Sequence, residues 1–122
     1  MHTLQVAVPA WRWYNQEAAR DLVAPLLRRV ADEKIVLLSS GGSDWLGGSG
    51  VAEKVEGGYR ITARKVFSFG APAGDLMMTG AITEEDGERS VLHFGVPMSA
   101  PEVTILDTWR TLGMRGTGSH DV

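Results

Sequence analysis

Residues that could act as nucleophiles or metal ligands are few and poorly spaced in this sequence. Ser119, His120 and Asp121 are consecutive, and consecutive residues of a strand point to opposite faces, which disfavours a hydrolytic triad. The three histidines, at positions 2, 93 and 120, lie far apart and show no ligand spacing. The chain has no cysteine, which excludes disulfides, thiolate metal sites and cysteine nucleophiles. We therefore expect no metal site and assign no catalytic residue.

A glycine-rich segment and four tryptophans could instead contact a ligand. Residues 47–50, Gly-Gly-Ser-Gly, lack the third glycine of a dinucleotide fingerprint and precede a predicted strand rather than a helix, so they do not indicate a Rossmann turn. The tryptophans favour apolar packing at domain edges or a flat ligand. They are Trp11, Trp13, Trp45 and Trp109.

An ordered set of short motifs is more specific than any of these residues alone. In chain order the motifs are Gly42-Ser43-Asp44, Ala52-Glu53-Lys54, Gly58-Tyr59-Arg60-Ile61, Lys65-Val66-Phe67, Ala73-Gly74-Asp75 and the glycine-rich residues 112–119. Together they resemble the middle β-domain of the acyl-CoA dehydrogenase superfamily. In that family a glycine-serine-aspartate signature and a later glycine-x-lysine-x-tryptophan-isoleucine-threonine segment lie against a flavin. The resemblance runs from about Trp13 to Val122 and implies FAD as the cofactor.

The resemblance assigns cofactor contacts to four residues near the predicted first strand. It places the backbone of Val36 and Leu37 beside the flavin ring, where a strand end supplies hydrogen-bonding groups to ring atoms. It places Gly42 and Ser43 near the pyrophosphate, because a hydroxyl on a glycine-flanked loop can approach a phosphate closely. Leu37 stands where the family has a threonine, so a side-chain hydroxyl is lost there.

Two phenylalanines complete the implied cofactor site. Phe67 falls on the family's tryptophan, where an aromatic face packs against the flavin ring. Phe69 falls on the threonine that bonds to the flavin edge. Phenylalanine has no hydroxyl, so this hydrogen bond must come from the backbone or be absent. Ser39 replaces the family's proline, and Ala63 replaces its glycine.

The resemblance leaves three functions open. The first is α,β-desaturation of an acyl-CoA thioester, in which a carboxylate base from a C-terminal domain outside this chain removes a proton and FAD accepts a hydride. The second is a monooxygenase of the same superfamily that uses FMN or another reduced flavin; residues 109–119 fit its motif well. Lys65 and the Ala52-Glu53-Lys54 motif fit the dehydrogenases better. The third is a non-catalytic, truncated β-domain.

The helical part that precedes the motifs is short. Apolar residues recur at helical spacing between Asn15 and about Ala31, with arginines on the opposite side. Asn15 is a candidate N-cap. Pro25 lies inside the pattern and predicts a kink or a break between two helices, because proline removes a backbone hydrogen bond.

After Lys34 the sequence predicts only strands and turns. Residues 35–38 indicate a buried strand, and glycine-containing turns predict two hairpins, formed by residues 51–67 and 75–96; a last strand is predicted at 103–106. The expected fold is α+β, with a short N-terminal helical segment followed by an antiparallel β-barrel or sandwich of about six to eight strands. We assign residues 1–33 to the end of a helical domain and residues 34–122 to a middle β-domain truncated at its C-terminus.

Composition limits the partners. The chain has 122 residues, 12 basic and 15 acidic, for a net charge of −3, which gives no electrostatic footprint for nucleic acid. The first ten residues lack a signal-peptide pattern, and no window approaches the ~18 apolar residues of a membrane span. We expect a soluble cytoplasmic protein with a small-molecule substrate, acyl-CoA or another, and no membrane partner. The resemblance implies a homo-oligomer for the full-length protein.

Overall fold

The computed structural model describes residues 2–122, apart from the side chain of Ser43. It begins with two helices that pack against each other, α1 (His2–Asn15) and α2 (Arg20–Asp32). A short 3₁₀ turn, Glu17–Ala19, separates them. None of the helices in this described part is long and apolar enough to cross a membrane.

The helix boundaries differ from the sequence prediction. Asn15 does not cap the start of a helix; it is the last residue of α1, and its side-chain amide donates to the carbonyl of Trp11 at 2.8 Å. The break falls at Gln16, whose backbone is extended, with φ −127° and ψ 100°. Pro25 lies within α2, which continues through it; of the two outcomes expected there, a kink or a break between two helices, the break is therefore wrong. One lost hydrogen bond is tolerated there because the helix has other turns on both sides.

Five strands follow, interrupted by one short helix, α3 (Ser43–Leu46), and by 3₁₀ turns at Ala71–Ala73 and Arg115–Thr117. The prediction that only strands and turns follow Lys34 is therefore wrong. The strands are β1 (Leu37–Ser39), β2 (Val51–Val55), β3 (Gly58–Thr62), β4 (Leu76–Glu85) and β5 (Glu88–Pro97).

The strands form one mixed sheet around β4. One edge of β4 pairs with β5 in antiparallel register along its whole length. Its other edge pairs in parallel with β1, from Leu76 to Met78, and with β2 at Ile82. Strands β2 and β3 form an antiparallel hairpin. The α+β class and the strand-rich second part are confirmed, but an antiparallel barrel or sandwich of six to eight strands is not.

Both predicted hairpins are present, with small shifts in their turns. The first turn is Glu56-Gly57 rather than Gly57-Gly58, because Val55 pairs with Gly58. The second is Asp86-Gly87, and both residues have positive φ, 54° and 80°, as a tight hairpin turn requires. Within the described residues, the predicted strand at 103–106 is reduced to one isolated bridge between Leu106 and Asp121.

The centre of the sheet has an apolar part and a polar part. Leu37, Leu38, Met77 and Ala81 are buried side by side on β1 and β4. Close to them lie buried polar residues that a core of this size does not need for packing. These are Ser39, Ser40, Asp44, Lys65, Ser68 and Thr79. They surround the C-terminal end of β1, next to two of the predicted cofactor contacts, Gly42 and Ser43.

Candidate functional site

The end of β1 lies against a second segment, residues 66–69. The backbone N–H of Gly41 donates to the carbonyl of Val66 at 3.1 Å, and the N–H of Phe69 donates to the carbonyl of Ser39 at 3.1 Å. Ser39 and Phe69 form an isolated antiparallel bridge. The structure therefore brings together two segments that are distant in sequence, 39–42 and 66–69, both of which the resemblance assigns to the cofactor.

The backbone N–H groups of the two predicted ring contacts, Val36 and Leu37, already have side-chain partners. The N–H of Val36 donates to the Asp75 carboxylate at 2.7 Å, and the carbonyl of Val36 accepts from the N–H of Asp75 at 2.9 Å. The N–H of Leu37 donates to Nδ1 of His2 at 2.9 Å, and the Leu37 side chain is buried. Val36 lies at the opposite end of β1 from Gly42, so it does not join the cluster at residues 39–42 and 66–69.

Gly42 and Ser43 lie where β1 passes into α3. Gly42 is exposed, and a Cβ added there would meet nothing within 4 Å. Its carbonyl accepts the N–H of Trp45 at 3.2 Å. Ser43 is the first residue of α3, and its side chain lies outside the described part of the chain, so its phosphate contact stays a prediction.

Phe67 is the most unusual residue of the cluster. Its ring is 61% exposed, and its backbone has φ +54°, a left-handed conformation that is rare for a bulky side chain. Such a conformation costs about 1–3 kcal/mol and persists only where surrounding contacts impose it. The ring meets Trp109 edge to face, 6.2 Å between centroids. Phe69, by contrast, is half-buried and contributes its backbone bridge to Ser39.

Asp121 imposes part of that conformation. One carboxylate oxygen accepts from Nη2 and Nε of Arg64 at 2.7 and 3.0 Å, and the other accepts from the N–H of Phe67 at 3.4 Å. The hydrogen bond from Arg64 holds the pKa of Asp121 below its usual range; burial opposes this shift, and the N–H of Phe67 adds to it. This role of Asp121 was not predicted, because Arg64 lies 57 positions away and no local sequence pattern joins the two residues.

A second contact to Phe67 comes from the loop that precedes Asp121. Nδ1 of His120 lies 3.2 Å from the backbone N of Thr108 and 3.3 Å from that of Trp109. The indole N–H of Trp109 donates to the carbonyl of Met114 at 3.3 Å. Trp109 is thus held by its own loop, and the Phe67–Trp109 pair is fixed from both sides.

Beneath this surface lies a buried polar network. Nζ of Lys65 lies 3.5 Å from Oδ2 of Asp44, and both side chains are 3% exposed. Burial lowers the pKa of Lys65, and the charge of Asp44 opposes that shift. Burial alone raises the pKa of Asp44, but hydrogen bonds from Ser49 and Ser40, together with Lys65, hold it below its usual range. Both residues belong to motifs quoted above, yet their pairing was not predicted.

A small groove adjoins residues 39–42. It has a volume of about 210 Å³ and lies between α1 and the end of β1. Trp45 closes one side, and its ring stacks on His93 with centroids 5.3 Å apart. The other lining residues are Leu4, Gln5, Val8, Ser39, Ser40 and Gly42. A flat, largely apolar group could enter such a groove beside the cluster.

A larger cavity, of about 480 Å³, lies between β3 and β5 and residues 100–104. Its walls are mostly aliphatic and aromatic, and they include Ile61, Leu92, Phe94 and Val103. None of the six residues that the resemblance assigns to the cofactor lines it. The candidate site is therefore the cluster at 39–42 and 66–69 with Trp109, rather than this cavity.

Comparison with known proteins agrees with the resemblance. Residues 39–122 match the family described as acyl-CoA dehydrogenase, middle domain. A pigment production hydroxylase of Rhodococcus sp. (strain ATCC 21145) is 34% identical over 116 residues, 93% of this chain and 27% of the hydroxylase. An indole-3-acetate monooxygenase of Pseudomonas putida is 35% identical over 71 residues, 58% of this chain and 18% of the monooxygenase.

A solved structure shares both fold and sequence likeness. The structure of KijD3 in complex with FMN and dTDP-3-amino-2,3,6-trideoxy-4-keto-3-methyl-D-glucose is 27% identical, with a TM-score of 0.75 over 93% of this chain and 28% of KijD3. The chain spans less than a third of the length of each of these three proteins. The family match covers strands β2 to β5, the last residue of β1, α3 and the whole cluster at 39–42 and 66–69. The chain belongs to the acyl-CoA dehydrogenase family, and its residues 39–122 are the family's middle domain.

Proposed function

We propose that this chain is the flavin-binding part of a monooxygenase that uses reduced flavin and acts on a small molecule. The observation that carries the flavin assignment is the exposed Phe67, with its half-buried partner Trp109, beside residues 39–42. The choice of oxygenation over desaturation is supported by the relatives, which are named as a hydroxylase and a monooxygenase.

The residues of the cluster fit a flavin in shape and chemistry. A flavin has a flat aromatic ring system and a phosphate-bearing tail, and aromatic side chains stack readily on flat rings. Phe67 and Trp109 would hold the ring, with the backbone of Phe69 near its edge. Gly42 would allow a phosphate to approach the backbone, since the position that a Cβ would take is open, and Ser43 would donate to the phosphate. FMN and FAD both carry this phosphate; FMN is favoured by the likeness to KijD3.

When bound, reduced flavin would supply the two electrons that activate dioxygen, so that one oxygen atom is transferred to the substrate and the other is reduced to water. The chain's own residues bind and shield rather than move protons. The groove lined by Leu4, Val8 and Trp45 would exclude water beside the ring and receive an apolar part of the substrate. We assign no proton-transfer residue within the chain.

Desaturation of an acyl-CoA thioester is less well supported. The motif at 109–119 fits the monooxygenases, and the dehydrogenase-like residue Lys65 has a structural explanation in its buried pairing with Asp44. Lys65 therefore does not discriminate between the two reactions. We further propose that residues 1–33 belong to a helical domain, that 34–122 form most of the middle domain, and that the full-length protein is a homo-oligomer.

Flavin binding tests this proposal directly. Titration of the chain with oxidised FMN and FAD would be followed by flavin fluorescence and the visible spectrum, and titration with the reduced forms under anaerobic conditions by quenching of the chain's tryptophan fluorescence. We expect binding of at least one flavin, with the reduced form bound more tightly. Tighter binding of oxidised FAD would favour the dehydrogenase reading, and no binding of any form would contradict the flavin assignment for this chain.

A further inference from the structure

The buried pair Lys65–Asp44 links the two segments that meet at the candidate site. Asp44 lies in the first turn of α3, directly after residues 39–42. Lys65 directly precedes residues 66–69, and its backbone pairs with Val122 through two hydrogen bonds of 2.6 and 2.9 Å. Two buried charged groups, Lys65 and Asp44, are thus joined across the line where the segments touch.

The Lys65 ammonium has a complete set of acceptors in addition to Asp44. It donates to the carbonyl and the hydroxyl of Ser49 at 2.7 and 3.0 Å and to the carbonyl of Gly80 at 2.5 Å. These contacts tie the loop after α3 to β4. An ammonium has three protons, and the arrangement gives each of them an acceptor.

Asp44 extends the network toward the end of β1. Oδ2 of Asp44 accepts from the Thr79 hydroxyl at 3.5 Å, and the hydroxyls of Thr79 and Ser40 lie 2.7 Å apart. The carbonyl of Asp44 lies close to the backbone of Gly80. A Cβ added to Gly80 would lie only 3.0 Å from the oxygen of this carbonyl. Ser40, α3 and β4 are thereby held in one arrangement.

A buried ion pair is expensive to desolvate, and an apolar pair of similar volume often gives equal or greater stability. Such a pair is therefore better suited to fixing geometry than to adding stability. We infer that Lys65 and Asp44 are positioning residues of the flavin site: their contact fixes α3 and residues 39–42 against residues 66–69, so that Gly42 and Phe67 face one ligand together. This inference rests on the proposed function for its ligand.

Three variants and one control test the inference: Lys65→Met, Asp44→Asn, the double variant Lys65→Met/Asp44→Asn, and Lys54→Met. Lys54 forms an exposed ion pair with Glu85 away from the cluster. Two readouts are needed. The first is the flavin dissociation constant. The second needs no flavin: the ¹⁹F resonance of Trp45 in chain labelled with fluorotryptophan, assigned with Trp45→Phe, reports the position of α3 against His93.

We expect each single variant to shift the Trp45 resonance and to weaken flavin binding by about tenfold or more, comparable to losing a hydrogen bond or two. The double variant leaves no unpaired buried charge, so its unfolding midpoint should recover while its Trp45 resonance and flavin affinity do not. Lys54→Met should match wild type in both readouts.

Two results would overturn the inference. One is a folded double variant with wild-type Trp45 resonance and wild-type flavin affinity, because the pair would then contribute nothing to position. The other is a loss of flavin affinity in Lys54→Met equal to that in Lys65→Met. If the wild-type chain binds no flavin, the proposed function fails on its own, and the Trp45 resonance still decides whether the pair positions α3.

Discussion

The rings of Phe67 and Trp109 meet edge to face, with an interplanar angle of 82° and 6.2 Å between centroids. Phe67 has the position of the family's tryptophan, whereas Trp109 comes from the later loop that fits the monooxygenase motif. Because Phe67 is still 61% exposed, its ring keeps surface for a further aromatic group. The pair therefore connects the residue that the resemblance assigns to the flavin ring with the loop whose motif resembles that of the monooxygenases.

Replacing Phe67 with alanine should weaken flavin binding by about tenfold, because one stacking surface is lost. Phe94→Ala is the matched control, since Phe94 lines the larger cavity rather than the cluster. Both affinities would be measured by quenching of flavin fluorescence. Equal losses in the two variants would mean that Phe67 does not contact the ring.

The local elements of this fold could be predicted from sequence, but their pairing could not. The spacing of apolar residues predicted α2, and the glycine-containing turns predicted both hairpins. These elements can be predicted because a helix or a hairpin depends on residues that are close in sequence. Helix α1 was missed since Leu4, Val8 and Trp11 form a stripe that is largely exposed, and Pro9 interrupts the pattern. The parallel pairing of β1 with β4 joins residues 39 positions apart, which no local pattern reports.

The same limit applies to the site. The resemblance gave the positions of Gly42, Phe67 and Phe69, and the structure places them on two touching segments. It gave no contacts between side chains that are remote in sequence. The pairs Lys65–Asp44 and Arg64–Asp121 depend on how the segments fold together, and only the three-dimensional arrangement reveals them.

Replacing Gly42 with alanine should lower the affinity for flavin without changing the stability of the fold. A Cβ at this position meets nothing within 4 Å, and Gly42 does not have positive φ, so the unfolding free energy should change by less than about 0.5 kcal/mol. Flavin affinity should fall, because the methyl group would occupy the space that a phosphate needs. Gly113→Ala, at an equally open position, is the control. Unchanged affinity in Gly42→Ala would place the phosphate elsewhere.

The lowered pKa of Asp121 predicts how the stability of the chain depends on pH. Its pKa is lowered in the folded chain, so the ionised form stabilises the fold above the unfolded pKa of about 3.9, and this contribution is lost as the pH falls through the lower, folded value. Asp121→Asn should cost about 1–2 kcal/mol at neutral pH and much less in acid. Urea unfolding at a series of pH values would measure this difference.

The control for Asp121 is Asp107→Asn. Asp107 pairs with Arg110 at 3.2 Å, but both side chains are 80% exposed, and such surface pairs contribute little. Its unfolding free energy should stay near wild type at every pH. An Asp121→Asn chain that keeps the wild-type pH profile would show that the Arg64–Asp121 contact does not stabilise the fold.

Gly74 should be intolerant of even one methyl group. An added Cβ would lie 1.5 Å from Cδ2 of Leu38, a side chain that is only 1% exposed and has little room to move. Gly74→Ala should destabilise the chain by about 1–3 kcal/mol or prevent folding, as overpacking of a dense core does. Leu38→Ala alone should cost about 2–5 kcal/mol through the cavity it leaves. The double variant should be more stable than the sum of the two losses predicts, since the new methyl group enters the space that Leu38 vacates. Urea unfolding of the four chains completes this cycle, and strictly additive losses would show that Leu38 is not what excludes a side chain at position 74.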